Sequence, residues 1–158
     1  MITLTGCRFA DGSAGEVRIE GGRIAAIGAG SDVRRTSADP AATTIDAGGR
    51  LIAPAFVDGH VHLDKTLWGS PWISHAAEPS VASRIALERS IRSRITVPVA
   101  VRAANLLDQL IANGTTALRT HVDIDTTIGL SHLNAVLEVR ERYRDRCTIQ
   151  IVAFPQNA

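Results

Sequence analysis

The rhythm of hydrophobic and polar positions changes near residue 52. Before it, Glu16–Glu20 (EVRIE) alternates polar with apolar, Gly21-Gly22 interrupts, and Arg23–Ile27 (RIAAI) resumes. Two short runs around Gly-Gly predict a β-hairpin, because such tight turns need positive φ. Residues 28–42 read as an exposed loop, Thr43–Asp46 as a strand, and Ala47–Gly49 as the turn after it. Residues 1–52 therefore predict a small β module.

After residue 52 the segments lengthen. Leu51–Val57 is an apolar run of buried-strand type broken by Pro54, and residues 64–79 are irregular, with Gly69, Pro71 and Pro79. Ser80–Ile95 carries Val81, Ile85, Leu87 and Ile91 at helical spacing. Thr96 can cap a second helix with Pro98 in its first turn. Its stripe is Val101, Leu106, Leu107, Leu110 and Ile111, and Asn113-Gly114 is the stop signal. Thr115–Val122 is β-branched and strand-like, Leu130–Arg144 is amphipathic through Leu133, Val136, Leu137 and Val139, and Thr148–Phe154 predicts a further strand. Strand, helices, strand, helix, strand means βαβ units on a parallel sheet. A closed parallel barrel needs eight strands and about 250 residues. Three strands cannot close, and a bare parallel edge is a liability. The pattern leaves a small open three-stranded α/β domain or the first part of a larger structure.

Composition narrows the partners more than the fold. A chain of 158 residues suffices for one domain with a real core. A net charge of +1 predicts neither nucleic acid nor a membrane surface as partner. Arginines cluster in Arg84–Arg94 and Arg140–Arg146; Glu138, Glu141 and Asp145 interleave with the second set, which reads as a solvated helix face. Cys7 and Cys147 stand far apart without metal-type spacing, which fits a reducing cytoplasm. The opening MITLTGCRFADG lacks the basic and apolar regions of a signal peptide, and no apolar run approaches the roughly 20 residues of a membrane span.

The candidate chemistry lies in 53-APAFVDGHVHLDKT-66. In a strand, residues i and i+2 share a face with Cα atoms roughly 6.5–7 Å apart. His60 and His62 can thus converge on one metal ion, and they fall where the apolar run ends. In a parallel barrel the C-terminal strand ends form the active-site mouth. A catalytic ion commonly has three protein ligands and an open position, so two histidines are not a complete site. Among the others, His75 reads as an exposed loop residue and His132 as a solvated or capping residue in the first turn of a helix. His121 ends the second strand in 119-RTHVD-123, where it can ligate, hydrogen-bond a substrate or pack, sharing its side of the strand with Arg119 and Asp123.

The stretches PAFVDGHVHLDKT, IANGTTALRTHVD, LNAVLEVRERY and IQIVAFPQ, in this order and spacing, resemble the N-terminal part of the amidohydrolase superfamily. The branch they resemble is that of the bacterial cytosine deaminases, which also holds triazine-degrading relatives. The resemblance implies a metal-dependent (β/α)8 barrel with a small β-sandwich built from both chain ends. Residues 1–52 would be the N-terminal part of that sandwich and residues 53–158 the first three βα units of the barrel, an incomplete one. It implies one divalent transition metal ion, zinc or iron, held by His60 and His62, and Gln156 reading the amide edge of the ring; an amide suits this because it both donates and accepts. His121 and Asp123 would line the pocket. The expected activity is hydrolytic deamination of a nitrogen heterocycle such as cytosine. Alternatives are release of an alkylamine or opening of an amide on a triazine-like ring, or a non-catalytic fragment or half of a split enzyme. Further ligands and the proton-shuttling pair would lie beyond Ala158. No catalytic residue is therefore expected within the chain, which alone should turn over nothing; the complete protein is expected to be a homo-oligomer. Lys65 departs from the small polar residue usual in cytosine deaminases and leaves the ring open. The unrelated zinc deaminases with H-x-E and P-C-x-x-C signatures are excluded, since neither motif occurs.

Overall fold

A computed structural model of the chain describes residues 1–29, 42–74, 76 and 78–156. They form two compact units, Met1–Pro54 and Ala55–Ala158. The segment 30–41, most of the loop read from sequence, and His75 lie outside the described residues.

The first unit is a four-stranded mixed sheet of β1 (Ile2–Arg8), β2 (Ala14–Glu20), β3 (Arg23–Gly28) and β4 (Thr43–Asp46), in the order β3-β2-β1-β4. The expected hairpin joins β2 to β3, with Gly21 and Gly22 at φ 54° and 75°, the left-handed region that glycine enters freely. The turn after β4 is closed by Asp46 Oδ1, which accepts from the Gly48 amide at 2.8 Å. Cys7 and Val17 are buried, whereas Ile24, Ile27 and Ile45 are exposed.

The second unit carries a parallel sheet in the order β5-β6-β7: β5 (Phe56–Val61), β6 (Thr115–Ile124) and β7 (Thr148–Pro155). The helices are α1 (Val81–Arg92), α2 (Val99–Ala112) and α3 (Ser131–Arg142). On one face Leu118, Val122 and Ile149 join Leu107, Ala103, Val136 and Val139 in the core. Burying each such aliphatic side chain contributes about 1.5–3 kcal/mol. Among the described residues no helix is long and apolar enough to cross a membrane.

Three local expectations are corrected. The strand read at Leu51–Val57 forms at Phe56–Val61, and it is not buried: Phe56 is 68% and Val57 73% exposed, since β5 is an edge of the sheet. Helix α1 stops at Arg92, not Ile95, and its cap is the reciprocal Ser80–Ser83 capping box. Helix α2 is not capped by Thr96, because Pro98 itself stands at the N-cap. The residue before a proline is disfavoured in helical geometry, so Val97 cannot extend the helix back to the threonine.

Candidate metal centre

Strand alternation assigns the two faces of β6. Leu118, Thr120 and Val122 point into the core, while Arg119, His121 and Asp123 point the other way. Arg119 meets Gln150 of β7, its Nε donating to Oε1 at 2.8 Å. One step further along, His121 meets Phe154 edge-on, with ring centroids 6.1 Å apart.

On β5 the register against β6 shifts between Asp58 and Val61, where three steps on β5 match two on β6 (Asp58↔Leu118, Val61↔Thr120). Such a bulge re-aims side chains. Val61 packs against the core while His60 stacks on His121 at 4.1 Å between centroids. His62 follows directly after the strand, 5.3 Å from His60 and 5.9 Å from His121. Burial, with His60, His62 and Arg119 close by, pushes the His121 pKa below its usual value. The ring is thus neutral at pH 7, the form that binds a metal.

Asp64, fully buried, is the residue that sequence reading missed. Its Oδ1 lies 3.7 Å from His62 Nδ1, and its Oδ2 lies 3.7 Å from His132 Nδ1 and accepts from the Asp123 amide at 2.9 Å. At 3.7 Å both contacts are too long for hydrogen bonds. Burial pushes the Asp64 carboxyl up, but His132, His62 and the Asp123 amide outweigh it and hold it well below the ordinary carboxylate range. His132 is correspondingly not a solvated capping residue: its side chain is 13% exposed and faces Asp64. Helical periodicity marked its position but not its partner, 68 residues earlier in the chain.

Behind the histidines lies a charged network. Asp123 Oδ1 accepts from Gln156 Nε2 at 3.0 Å and its Oδ2 from Lys65 Nζ at 3.4 Å. Lys65 also reaches Glu88 at 3.1 Å. Arg92 of α1 bonds Asp125 at 2.6 Å and approaches Asp123 at 3.8 Å. Burial raises the Asp125 carboxyl, but Arg92 and the Ile128 and Thr127 amides hold it far below its usual range. So part of the first arginine cluster turns inward, whereas Arg140, Arg142 and Arg144 of the second are exposed, as the interleaved acids predicted. A cavity of about 630 Å³ runs beside this network, lined by Asp64, Lys65, Glu88, Arg92, Arg102 and His132 among others.

Among the described residues one set of three donors could hold a cation. Ligand-type atoms of His62, Asp64 and Asp123 lie within 4.8 Å of one another. Asp123, however, already answers Lys65, Arg92 and Gln156. The rings of His60, His62 and His121 cluster beside this set, with centroids 4.1 to 5.9 Å apart, and the Nδ1 atoms of His62 and His121 are buried without a hydrogen-bond partner. Asp64 beside His62 Nδ1 leaves Nε2 as the ligating atom, the usual arrangement of a carboxylate behind a metal-bound imidazole. One imidazole and two carboxylates are donors that a divalent ion accepts. Gln156, the other residue singled out by sequence, stands at the end of β7 with its amide tied to Asp123.

Comparison with known proteins places this arrangement. The N-isopropylammelide isopropyl amidohydrolase of Pseudomonas sp. (strain ADP) is 32% identical over 125 residues, covering 72% of this chain and 29% of the relative. The crystal structure of N-isopropylammelide isopropylaminohydrolase from Burkholderia multivorans ATCC 17616 superposes with a TM-score of 0.84 at 39% identity, over 98% of this chain and 37% of that one. The 5-methylcytosine deaminase from Klebsiella pneumoniae, liganded with 5-fluorocytosine, gives a TM-score of 0.70 at 32% identity, over 98% of this chain and 36% of that one. The chain thus spans 29% to 37% of the length of these proteins and matches their N-terminal part. The amidohydrolase family model matches residues 43–158, the stretch that carries both histidines and Gln156, and the chain belongs to that family.

Proposed function

We propose that the chain supplies the first metal-binding strand and the ring-reading glutamine of a hydrolase that releases an amine from a nitrogen heterocycle. The observation that carries this is the clustering of the His60, His62 and His121 rings at the C-terminal end of parallel strands, with the Gln156 amide at the end of the next strand. In this reading residues 1–52 are part of a small β-sandwich, which suits the exposed Ile24, Ile27 and Ile45. Residues 53–158 are the first three βα units of a (β/α)8 barrel.

His60 and His62 hold the ion, and Asp64 orients His62 from behind. A zinc or iron ion held there would supply Lewis acidity for hydrolysis at the ring carbon that bears the amino group. The C–N bond breaks, a C–O bond forms, and the amine leaves with a proton from water. Gln156 fixes the ring, and His121, neutral, lines its side. Deamination of a cytosine-like ring is the first reading. Release of an alkylamine from a triazine-like ring is the second, favoured by Lys65 within the site network and by the similarity to the isopropylammelide hydrolases.

The test uses the protein as its source cell makes it. Metal per chain is measured for wild type, His60→Ala and His62→Ala. Both variants should lose the ion and activity together; full metal stoichiometry in both would defeat the assignment. A heterocycle panel read for ammonia against alkylamine separates the two substrates. No turnover of any ring would leave the chain a non-catalytic fragment or half of a split enzyme.

A further inference from the structure

We propose that Asp123 is a positioning residue: it fixes which way the Gln156 amide faces, and so limits the site to nitrogen rings that present an N–H donor beside a carbonyl. The ring half of this inference rests on the function proposed above; the Asp123–Gln156 half does not.

Gln156 is held at two points. Its backbone amide donates to the Ile124 carbonyl at 3.0 Å, which continues the β6–β7 pairing past the strand. Its Nε2 donates to Asp123 Oδ1 at 3.0 Å. A carboxylate only accepts, so it admits the NH2 end of an amide and repels the carbonyl end. A half-turn of the Gln156 amide would set Oε1 against Oδ1, acceptor against acceptor, and cost the bond as well.

Asp123 cannot easily give way. It is 2% exposed, and its Oδ2 faces Lys65 Nζ at 3.4 Å and Arg92 Nη2 at 3.8 Å. Those two cations, from the segment after β5 and from α1, hold its Oδ2 side, while Glu88 shares Lys65 from the other side. With one N–H committed, Gln156 keeps Oε1 and a single N–H for a ligand. That is one acceptor and one donor in a set order. Its complement is a ring N–H next to a ring carbonyl. A ring with a bare nitrogen in place of the N–H would bring acceptor to acceptor.

The experiment has two arms on the complete protein with its metal content verified. The first follows the Gln156 side-chain amide protons by nitrogen-15 NMR without ligand. Wild type should show a slowly rotating amide with one shifted proton, and Asp123→Asn should lose both features, since asparagine accepts either end of the amide. The second measures binding of cytosine and of 4-aminopyrimidine, which has a bare nitrogen in place of the N–H and no carbonyl beside it. Wild type should prefer cytosine by about tenfold to a hundredfold, the cost of a mismatched buried polar pair; Asp123→Asn should narrow that preference about tenfold.

Exchange of the partners guards against a folding artefact. Gln156→Glu sets two carboxylates together and should lose the preference. The double variant Asp123→Asn/Gln156→Glu restores a donor–acceptor pair between the two side chains but offers the ring carbonyl no N–H; it should recover the stability lost in Gln156→Glu without recovering the preference, which separates folding from ring reading. Unchanged Gln156 signals and an unchanged ring ratio in Asp123→Asn would overturn the proposal. A responsive Gln156 amide with no ring bound by wild type would overturn the ring half and the proposed function, and uphold the Asp123–Gln156 link.

Discussion

The two faces of β6 are built from the same ten residues by opposite rules. Leu118, Thr120 and Val122 are satisfied by contact: each is almost fully buried, against α2 and α3 or, for the Thr120 hydroxyl, by the Leu63 amide at 3.1 Å. Asp123 is satisfied by charge and hydrogen bonds from α1 and the end of β7, while His121 stacks on His60 of β5 with its Nδ1 unpartnered. Volume governs the first face and partner identity the second. A substitution on the core side should therefore cost stability in proportion to what it removes, and one on the polar side in proportion to what it leaves unpaired.

The comparison breaks most visibly in the core. Leu107→Ala, which empties a fully buried site under β6, should cost about 2–5 kcal/mol in urea denaturation, with metal binding by the folded fraction unchanged. Next comes Arg92→Met, which keeps the side chain's bulk and takes the 2.6 Å charge partner from the buried Asp125 carboxylate, leaving it Arg89 at 3.8 Å and two backbone amides. A loss of about 1–3 kcal/mol is expected, together with faster proteolysis within α1.

Acid then tests the polar side alone. Asp64 and Asp125 both have folded pKa values lowered from the ordinary 3.8. A lowered carboxyl contributes stability that is fully present above the unfolded pKa and is lost as pH falls toward the folded one. Stability should thus be level above about pH 5 and decline below about pH 4, and Asp125→Asn should flatten that decline. The smallest effect sharpens the contrast. Arg144→Ala removes an exposed pair with Glu141 and should change stability by less than about 0.5 kcal/mol in the same titration.

What the sequence made legible follows the same division. Strand and helix order, the Gly21-Gly22 hairpin and the stop at Asn113-Gly114 are local patterns, carried by residues a few positions apart, and the structure has them. His60, His62 and Gln156 stood out through their motifs. Asp64, His132 and Arg92 did not, because their meaning lies in partners far along the chain: Asp64 bonds the Asp123 amide 59 residues on, and Arg92 bonds Asp125 33 residues on. Periodicity gives a face, not the identity of what meets it. The HxH spacing likewise said that two imidazoles share a side, but the register shift that turns His60 onto His121 needed three-dimensional pairing to appear.

Strand β5 leaves the sheet at Val61, yet its partnership with β6 does not stop there. The Leu63 amide takes the Thr120 hydroxyl, and the Asp64 carboxylate takes the Asp123 amide. Side chains carry on the ladder where the backbone has stopped. In hydrogen exchange, the Leu63 and Asp123 amides should open with the sheet as one cooperative unit, on its slow timescale, and not with the loop to which residue 63 belongs by position. The segment that follows the histidines is then part of the scaffold's clock, so the histidine-bearing end of the strand keeps its shape for as long as the sheet itself does.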